Sequence, residues 1–127
     1  MRRIVLNMQN YLFCDAIART LQKEESDFSV SLAEKPDEVL EMCRYIRPYA
    51  VLLEVTGSSP WLLQERLQTS AEIKKAQPFC KIVLCVDENA EKQVARSIQQ
   101  AKKDRLIDQF IFGSISAAYL SAVMDTL

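Results

Sequence analysis

One acidic side chain ends an apolar segment at a position where chemistry could occur. Residues 49–54 (YAVLLE) have the continuous apolar pattern of a buried β-strand, and the run finishes on Glu54. In open α/β sheets, ligands and reacting groups gather at the carboxyl ends of the strands. Glu54 is therefore the first candidate functional residue. Two groups that could assist it are missing, because no acid directly follows the first apolar run and no lysine follows the last.

The other reactive residue types exclude several classes of function. The chain of 127 residues contains no histidine, so it has no histidine general base. Its two glycines, Gly57 and Gly113, cannot form a glycine-rich dinucleotide loop, and residues 7–11 offer no phosphate-binding loop for a flavin. The formal net charge of −1 gives no electrostatic argument for binding nucleic acid or an anionic membrane. A small enzyme or cofactor binder is thus disfavoured.

The cysteines indicate a reducing compartment. Cys14, Cys43, Cys80 and Cys85 form no C-x-x-C pair, and three of them lie in segments with apolar periodicity. We interpret them as reduced, buried thiols, the alternative being a metal or disulfide role. No run approaches the ~20 apolar residues that a membrane span requires, and the apolar run at residues 4–6 is too short for a signal peptide. We therefore expect a cytoplasmic protein.

Strand-like and helix-like segments alternate along the chain. Short apolar runs occur at residues 4–6, 28–32, 50–53, 81–86 and 110–112. Helical periodicity occurs at residues 11–23, 61–77 and 89–103, between Pro36 and Pro48, and from Ser116 onward. The predicted inward face of the first helix is Leu12, Ala16, Ile17, Thr20 and Leu21, and that of the last is Ala117, Leu120, Val123, Met124 and Leu127. This order predicts one α/β domain with a parallel sheet.

These segments resemble the receiver domain of two-component response regulators. Residues 47–54 (RPYAVLLE) are similar to the receiver motif R-P-D-V-V-L-L-D, with Glu54 in the position of the phosphoacceptor aspartate. Residues 72–84 resemble the third helix and fourth strand of receivers, and residues 107–120 resemble the fifth strand and last helix. The resemblance implies a flavodoxin-like (βα)5 sandwich of sheet order 2-1-3-4-5 over residues 1–127. The domain would stand alone or form the N-terminal part of a longer regulator.

The phosphorylation site that the resemblance implies is degenerate in this chain. Receivers bind Mg²⁺ through two acids after the first strand, carry a hydroxyl after the fourth, and carry a lysine and a proline after the fifth. The matching positions here are Asn7, Met8, Gln9, Val86, Gly113 and Ser114. We therefore predict no stable phosphorylation, no bound metal and no cofactor. Asp87 and Glu88 are interpreted as solvated loop acids, with weak cation binding as the alternative.

Three aromatic and acidic positions keep alternative interpretations. Glu54 is either a built-in mimic of a phosphorylated aspartate or a strand-end residue tolerated because the acids that would repel it are gone. Phe110 matches the aromatic residue that switches between exposed and buried states in receivers. Because Val86 replaces the hydroxyl, we expect Phe110 to be fixed by packing. Trp61 is either an exposed anchor for a partner or a cover for the core edge.

The resemblance also implies a protein partner, which would be a kinase, an output domain or a second copy. Receivers commonly pair through the face of the fourth helix, fifth strand and last helix. Charges of both signs occur there at Lys92, Arg96, Lys103, Asp104, Asp108 and Asp125, which suits a homodimer or a solvated monomer surface. The sequence thus predicts a non-enzymatic signalling or interaction module without direct nucleic-acid or membrane binding. The alternative is an atypical receiver, phosphorylated or ligand-gated at Glu54, that regulates a DNA-binding output domain.

Overall fold

Five strands form one parallel sheet in the described residues. The computed structural model describes residues 2–23, 27–86, 92–113 and 117–127, so Asp87, Glu88, Ser114 and Ser116 lie outside it. The strands are β1 (Arg2–Asn7), β2 (Phe28–Ala33), β3 (Ala50–Val55), β4 (Lys81–Val86) and β5 (Gln109–Phe112), in the order β2-β1-β3-β4-β5. This order confirms the predicted flavodoxin-like fold.

Helices cover both faces of the sheet and enclose two apolar layers. They are α1 (Tyr11–Leu21), α2 (Val39–Ile46, after a 3-10 turn at Pro36–Glu38), α3 (Leu63–Ala76), α4 (Lys92–Lys103) and α5 (Ala117–Asp125). One layer joins the sheet to α1 and α5, and the other joins it to α2, α3 and α4. Within the described ranges no helix is long and apolar enough to cross a membrane.

The central strand β3 is buried along its whole length, as its continuous apolar pattern predicts. Successive side chains point to opposite faces, so Leu52 packs in the α1/α5 layer and Leu53 in the α2/α3/α4 layer. Burying each of these leucines is worth roughly 1.5–3 kcal/mol. The strand therefore holds the two layers together and fixes where its last residues, including Glu54, emerge.

The predicted buried face of α1 is wrong at two positions. Leu12 is 85% exposed and Ala16 is exposed, whereas the buried residues are Cys14, Ile17, Ala18 and Leu21. The buried set has the spacing i, i+3, i+4, i+7 of a single helical face, and Leu12 lies outside that face. The predicted inward face of α5 is confirmed at Leu120, Val123 and Met124, while the side chain of Ala117 is outside the described part.

The segment before α3 folds inward instead of extending the helix. Trp61 is buried, so it covers the core edge and is not an exposed anchor. The helix begins after Leu62, whose N–H donates to Glu65 Oε1 at 3.1 Å, and Ser59 Oγ donates to Glu65 Oε2 at 2.8 Å. Leu62 itself is 39% exposed, so it lies outside the apolar layer that the helix covers.

Arg2 connects three elements at the amino-terminal edge of the sheet. Its Nη2 atom lies 2.6 Å from Asp27 Oδ1, just before β2, and 2.6 Å from Asp125 Oδ1 at the end of α5. The guanidinium carbon also lies 4.1 Å from the centroid of the Phe28 ring and 5.3 Å from that of Tyr49. Hydrogen bonds from Arg2 hold the pKa of Asp27 below its usual value. This network fixes the last helix to the first strand.

Candidate functional site

The residues predicted to form the degenerate site lie at the carboxyl edge of the sheet. Asn7 ends β1, Glu54 is next to last in β3, and Val86 ends β4. Register pairs Asn7 with Leu53, Glu54 with Cys85, and Val86 with Phe112 just before Gly113. Parallel strands end at a common edge, so the fold brings these positions together as the sequence predicts.

Glu54 is held by the loop between β1 and α1. The residue is only 6% exposed, and its Oε1 atom accepts hydrogen bonds from the N–H groups of Gln9 at 2.7 Å and Asn10 at 3.0 Å. Asn10 is the N-cap of α1, and its Oδ1 accepts the N–H of Phe13 at 3.1 Å. The carboxylate thus sits at a helix N-terminus, where unpaired N–H groups and the helix dipole favour negative charge. Glu54 therefore has a bonded structural position that neither interpretation of the sequence foresaw.

A buried arginine from α3 contacts the backbone of Glu54. Arg66 is fully buried, its Nε donates to the backbone oxygen of Glu54 at 2.8 Å, and its Nη2 donates to the backbone oxygen of Asn7 at 2.9 Å. The ring of Trp61 covers the guanidinium, with the guanidinium carbon 4.7 Å from the ring centroid. Burial lowers the pKa of Arg66 to about 10, and the negative charge of Glu54 acts in the opposite direction. Arg66 is therefore charged near neutral pH.

Sequence reasoning did not single out Arg66, although a signal was present. Arg66 shares its helical face with Leu63, Ser70 and Ile73, and both Ser70 and Ile73 are buried. A cation in that stripe must be paired or hydrogen-bonded, because an isolated buried charge is costly. We refer to Asn7, Glu54, Arg66 and the N–H groups of residues 9 and 10 as the strand-end site.

The residues that the sequence resemblance matched to magnesium-binding acids are mostly part of the core. Asn7 is fully buried, and its Nδ2 donates to the backbone oxygen of Ala33 at 2.8 Å, which joins β1 to β2. Met8 is 6% exposed and packs in the α1/α5 layer, whereas Gln9 is exposed. Among the described residues, Asn7 Oδ1 and Arg66 Nη1 are buried polar atoms without a hydrogen-bond partner. Most of the oxygen atoms that could bind a dication in this loop are therefore either buried or absent.

The polarity of the strand-end site is opposite to that of a metal site. A hard dication needs several oxygen ligands, but the loop after β1 presents two N–H donors and Arg66 adds a positive charge. Within residues 2–23, 27–86, 92–113 and 117–127, no three His, Cys, Asp or Glu side chains are grouped so as to hold a metal. Asp87 and Glu88, interpreted above as loop acids, are outside those ranges.

Val86 and Gly113, which the resemblance matched to the hydroxyl and lysine of receivers, both have structural contacts. Val86 is fully buried in the α2/α3/α4 layer, and its backbone oxygen accepts the N–H of Gly113 at 2.8 Å. A Cβ atom added at Gly113 would meet nothing closer than 3.7 Å, so packing does not require glycine there. The space near the backbone would therefore admit a larger residue at position 113.

The four cysteines are buried, which confirms their predicted burial, and none is in a disulfide in this structure. Burial raises the pKa of Cys43 to about 12 and that of Cys80 to about 11. It also raises the pKa of Cys85 well above the usual value, and the charge of nearby Glu54 adds to that effect. Thiols of this kind are poor nucleophiles, because the thiolate is the reactive form.

Phe110 packs at the edge of the sheet. It is partly buried against the α2/α3/α4 layer, and its ring centroid lies 5.7 Å from that of Phe112 in an edge-to-face arrangement. Lys102 Nζ lies 5.6 Å from the centroid of the Phe110 ring and donates to Gln109 Oε1 at 2.9 Å. These contacts hold the ring in place here, and the absence of switching remains a prediction.

The predicted interface residues separate into two groups. Lys92, Arg96, Lys103 and Asp104 are exposed on or just after α4. Asp108 instead accepts hydrogen bonds from Lys74 Nζ at 2.6 Å and from the N–H of Ile82 at 2.8 Å, while Asp125 pairs with Arg2. Asp104 also accepts from Gln100 Nε2 at 3.0 Å, so all three acids have intramolecular partners. A homodimer through this face stays one of the two predicted alternatives.

Solved receiver domains share this fold. A CheY-like receiver domain protein from Methanospirillum hungatei JF-1 matches with a TM-score of 0.78 at 14% identity over 99% of this chain and 92% of its own. The receiver domain of the putative response regulator NarL from Mycobacterium tuberculosis matches with a TM-score of 0.74 at 19% identity over 98% and 94% of the two chains.

A longer protein also matches. NtrX from Brucella abortus has a TM-score of 0.74 at 20% identity, and the match covers 99% of this chain but 26% of NtrX. This chain thus spans about a quarter of that relative. No protein-family model matches the chain. No curated protein sequence matches it either. At these identities the likeness establishes the receiver fold.

Proposed function

We propose that this domain is a receiver-like protein-interaction module that its own side chains hold in one arrangement, without Mg²⁺-dependent phosphorylation. The observation that carries the proposal is the strand-end site. Glu54 Oε1 accepts two backbone N–H groups, and the buried guanidinium of Arg66 binds the backbone oxygens of Asn7 and Glu54. Partners would be a kinase, an output domain or a second copy, as for the receivers whose fold it shares.

The chemistry of phosphoryl transfer supports this proposal. A phosphoacceptor must reach the donor with a metal ion and positive groups around the transferred oxygens. Glu54 is only 6% exposed, and the loop that would bind the metal donates to its carboxylate instead. Arg66 supplies a positive charge close to Glu54, but its Nε and Nη2 atoms already donate to backbone oxygens. Each charge thus has a structural partner already.

The proposal is tested with acetyl phosphate and Mg²⁺. We expect intact-mass spectrometry to detect no phosphoryl adduct, under conditions in which a receiver with an intact aspartate site is labelled. The variant Glu54→Asp should also remain unlabelled, because Met8, Val86 and Gly113 still lack the groups that bind metal and phosphate. An adduct on Glu54 of the natural chain would identify it as the atypical phosphorylated receiver instead.

A second measurement addresses conformational switching. Beryllofluoride with Mg²⁺ imitates a phosphoryl group on a carboxylate, so it should leave the amide NMR spectrum of this domain unchanged. Large shifts around Glu54 and Phe110 would contradict the proposal. Such shifts with no mass adduct would favour a ligand-gated site at Glu54.

A further inference from the structure

A basic cleft opens at the amino-terminal edge of the sheet, the opposite end from Glu54. Its volume is about 880 Å³, and the start of β1, the α2–β3 connection and the α3–β4 connection form its walls. Four of the described residues that line it are arginines and none is acidic: Arg2, Arg3, Arg44 and Arg47. We call this region the basic cleft.

Three of these arginines have no carboxylate partner. Arg2 is paired with Asp27 and Asp125, but no ion pair within the described ranges involves Arg3, Arg44 or Arg47. All three of these side chains belong to exposed residues. The cleft therefore carries an uncompensated positive charge, although the whole chain has a formal net charge of −1.

The end of α2 does not by itself account for Arg44 and Arg47. A positive side chain near a helix C-terminus is favourable, and Arg44 lies in the last turn. However, other groups already bind the terminal carbonyls. The backbone oxygen of Cys43 accepts Gln77 Nε2 at 2.6 Å and the N–H of Arg47 at 2.8 Å, while that of Ile46 accepts Arg3 Nη1 at 3.3 Å. The guanidinium groups of Arg44 and Arg47 are thus not used as caps.

Arg47 occupies a backbone position that favours glycine. Its φ of 52° places it in the left-handed region, at the C-cap of α2. Glycine is the usual residue there, because a Cβ atom makes this conformation less favourable. The chain nevertheless has a long cationic side chain at this point, on the rim of the basic cleft.

An exposed aromatic ring adds an apolar surface to the same cleft. Phe79 lines it and is 92% exposed, between Pro78 and Cys80 in the α3–β4 connection. Arginine and aromatic residues are enriched at the energetically dominant points of protein interfaces. A ligand that fits this cleft combines negative charge with an apolar group.

We propose that the basic cleft binds an acidic segment of a partner protein. Its carboxylates would pair with Arg3, Arg44 and Arg47, and one apolar side chain would cover Phe79. A peptide fits this edge better than a phosphate ligand, because α2 and α3 both present their carbonyl ends here. Phosphate has acceptors only and is usually bound at helix N-termini, whereas a peptide also carries N–H donors. The site is at the other end of the sheet from Glu54, so it stands even if Glu54 proves to be phosphorylated.

The experiment measures the affinity of a short fluorescent peptide of glutamates around one phenylalanine, with its glutamine counterpart as a neutral probe. Arg47→Gly removes a cleft arginine while giving the left-handed position its preferred residue, so the fold should be retained. Arg105→Gly is a matched control, because Arg105 is exposed, has a φ of 61°, and does not line the cleft. We expect Arg47→Gly to weaken binding about tenfold and Arg105→Gly by less than about twofold.

A Phe79 variant, the mapping of amide shifts and a competing phosphate ligand provide further tests. Phe79→Ser should weaken binding of the glutamate peptide. It should not lower the thermal stability of the domain, since the ring is exposed. Amide shifts on binding should map to residues 44–47 and 76–80. The proposal is overturned if the glutamate and glutamine peptides bind alike, or if the two arginine variants lose affinity equally. ADP serves as the competing phosphate ligand, and its binding at this cleft in preference to the peptide would overturn the proposal as well.

Discussion

Two buried charges define the strand-end site, and each is satisfied mainly by backbone groups. Glu54 accepts from amides of the β1–α1 loop, and Arg66 donates to the oxygens at the ends of β1 and β3. Burying a charge is costly unless it is hydrogen-bonded, so removing either side chain leaves polar groups without partners in a poorly solvated place. The stability of the domain should therefore depend strongly on both residues.

Replacing Arg66 with methionine tests the first of these charges. Arg66→Met keeps much of the side-chain volume but leaves the backbone oxygens of Asn7 and Glu54 without their donors. We expect the free energy of unfolding to fall by about 3 kcal/mol in urea titrations. Arg96→Met on the exposed face of α4 is the matched control and should change it by less than about 0.5 kcal/mol. Similar losses in the two variants would mean that the buried hydrogen bonds contribute little.

Glu54→Gln tests the charge of the carboxylate with almost no change of shape. The amide oxygen can still accept from Gln9 and Asn10, but a neutral acceptor forms weaker bonds and has no attraction for the end of α1. We expect a loss of about 1–2 kcal/mol in unfolding free energy and faster hydrogen exchange at these two amides. Glu72→Gln, on the exposed side of α3, should alter neither quantity.

At the scale of the elements, the strands were more predictable than the side of each helix that faces the core. Continuous apolar runs such as residues 50–53 and 81–86 have one interpretation in a parallel sheet, and both became buried strands. The phase of α1 is less certain from sequence, because Tyr11, Leu12 and Phe13 are all apolar and only Phe13 is even partly buried. The N-cap bond at Asn10 fixes where the helix begins, and the buried residues that follow it, from Cys14 to Leu21, define the face turned to the core.

The strand-end site was only partly predictable, for a physical reason. The fold and the order of motifs place Asn7, Glu54, Val86 and Gly113 at one edge. The partners of Glu54, however, are backbone N–H groups, which every residue except proline carries. No pattern of side chains in the sequence can therefore predict them. Arg66 was detectable in principle as a cation within an apolar helical stripe, but its two acceptors are also backbone atoms.

The Arg2 network that joins β1, β2 and α5 should respond to acid. Hydrogen bonds from Arg2 lower the pKa of folded Asp27, so its stabilising contribution is present above the unfolded pKa of about 3.9 and is lost as pH falls through the folded value. Asp27→Asn should therefore destabilise the domain at neutral pH and match the natural chain in strong acid. Urea titrations of both proteins across this range provide the check, and a difference that persists in acid would point to packing instead.

At the scale of the whole molecule, the charges of the α4 face argue against self-pairing. A two-fold interface needs one patch that complements itself, but Asp108 and Asp125 are engaged with Lys74 and Arg2. The exposed remainder on α4 is mainly basic, with Lys92, Arg96 and Lys103. Two copies of such a patch repel each other, and exposed ion pairs contribute at most ~1 kcal/mol each.

We therefore expect sedimentation at micromolar concentration to give a monomer. The double variant Arg96→Glu with Lys103→Glu should sediment in the same way, since these side chains would not hold an interface together. A dimer that dissociates on this charge reversal would establish the α4 face as the pairing surface and contradict this expectation.

The hydrogen bonds of Arg66 also bear on how such a domain would carry information. An alternative conformation that breaks both bonds would lie about 3 kcal/mol higher, so under roughly 1% of molecules would occupy it at any moment. Only a ligand with a large preference for that rare form could shift the population. A domain with one populated state acts on its partners by mass action. Its influence would then follow the amount of protein that the cell makes, and not the fraction of molecules that have been modified.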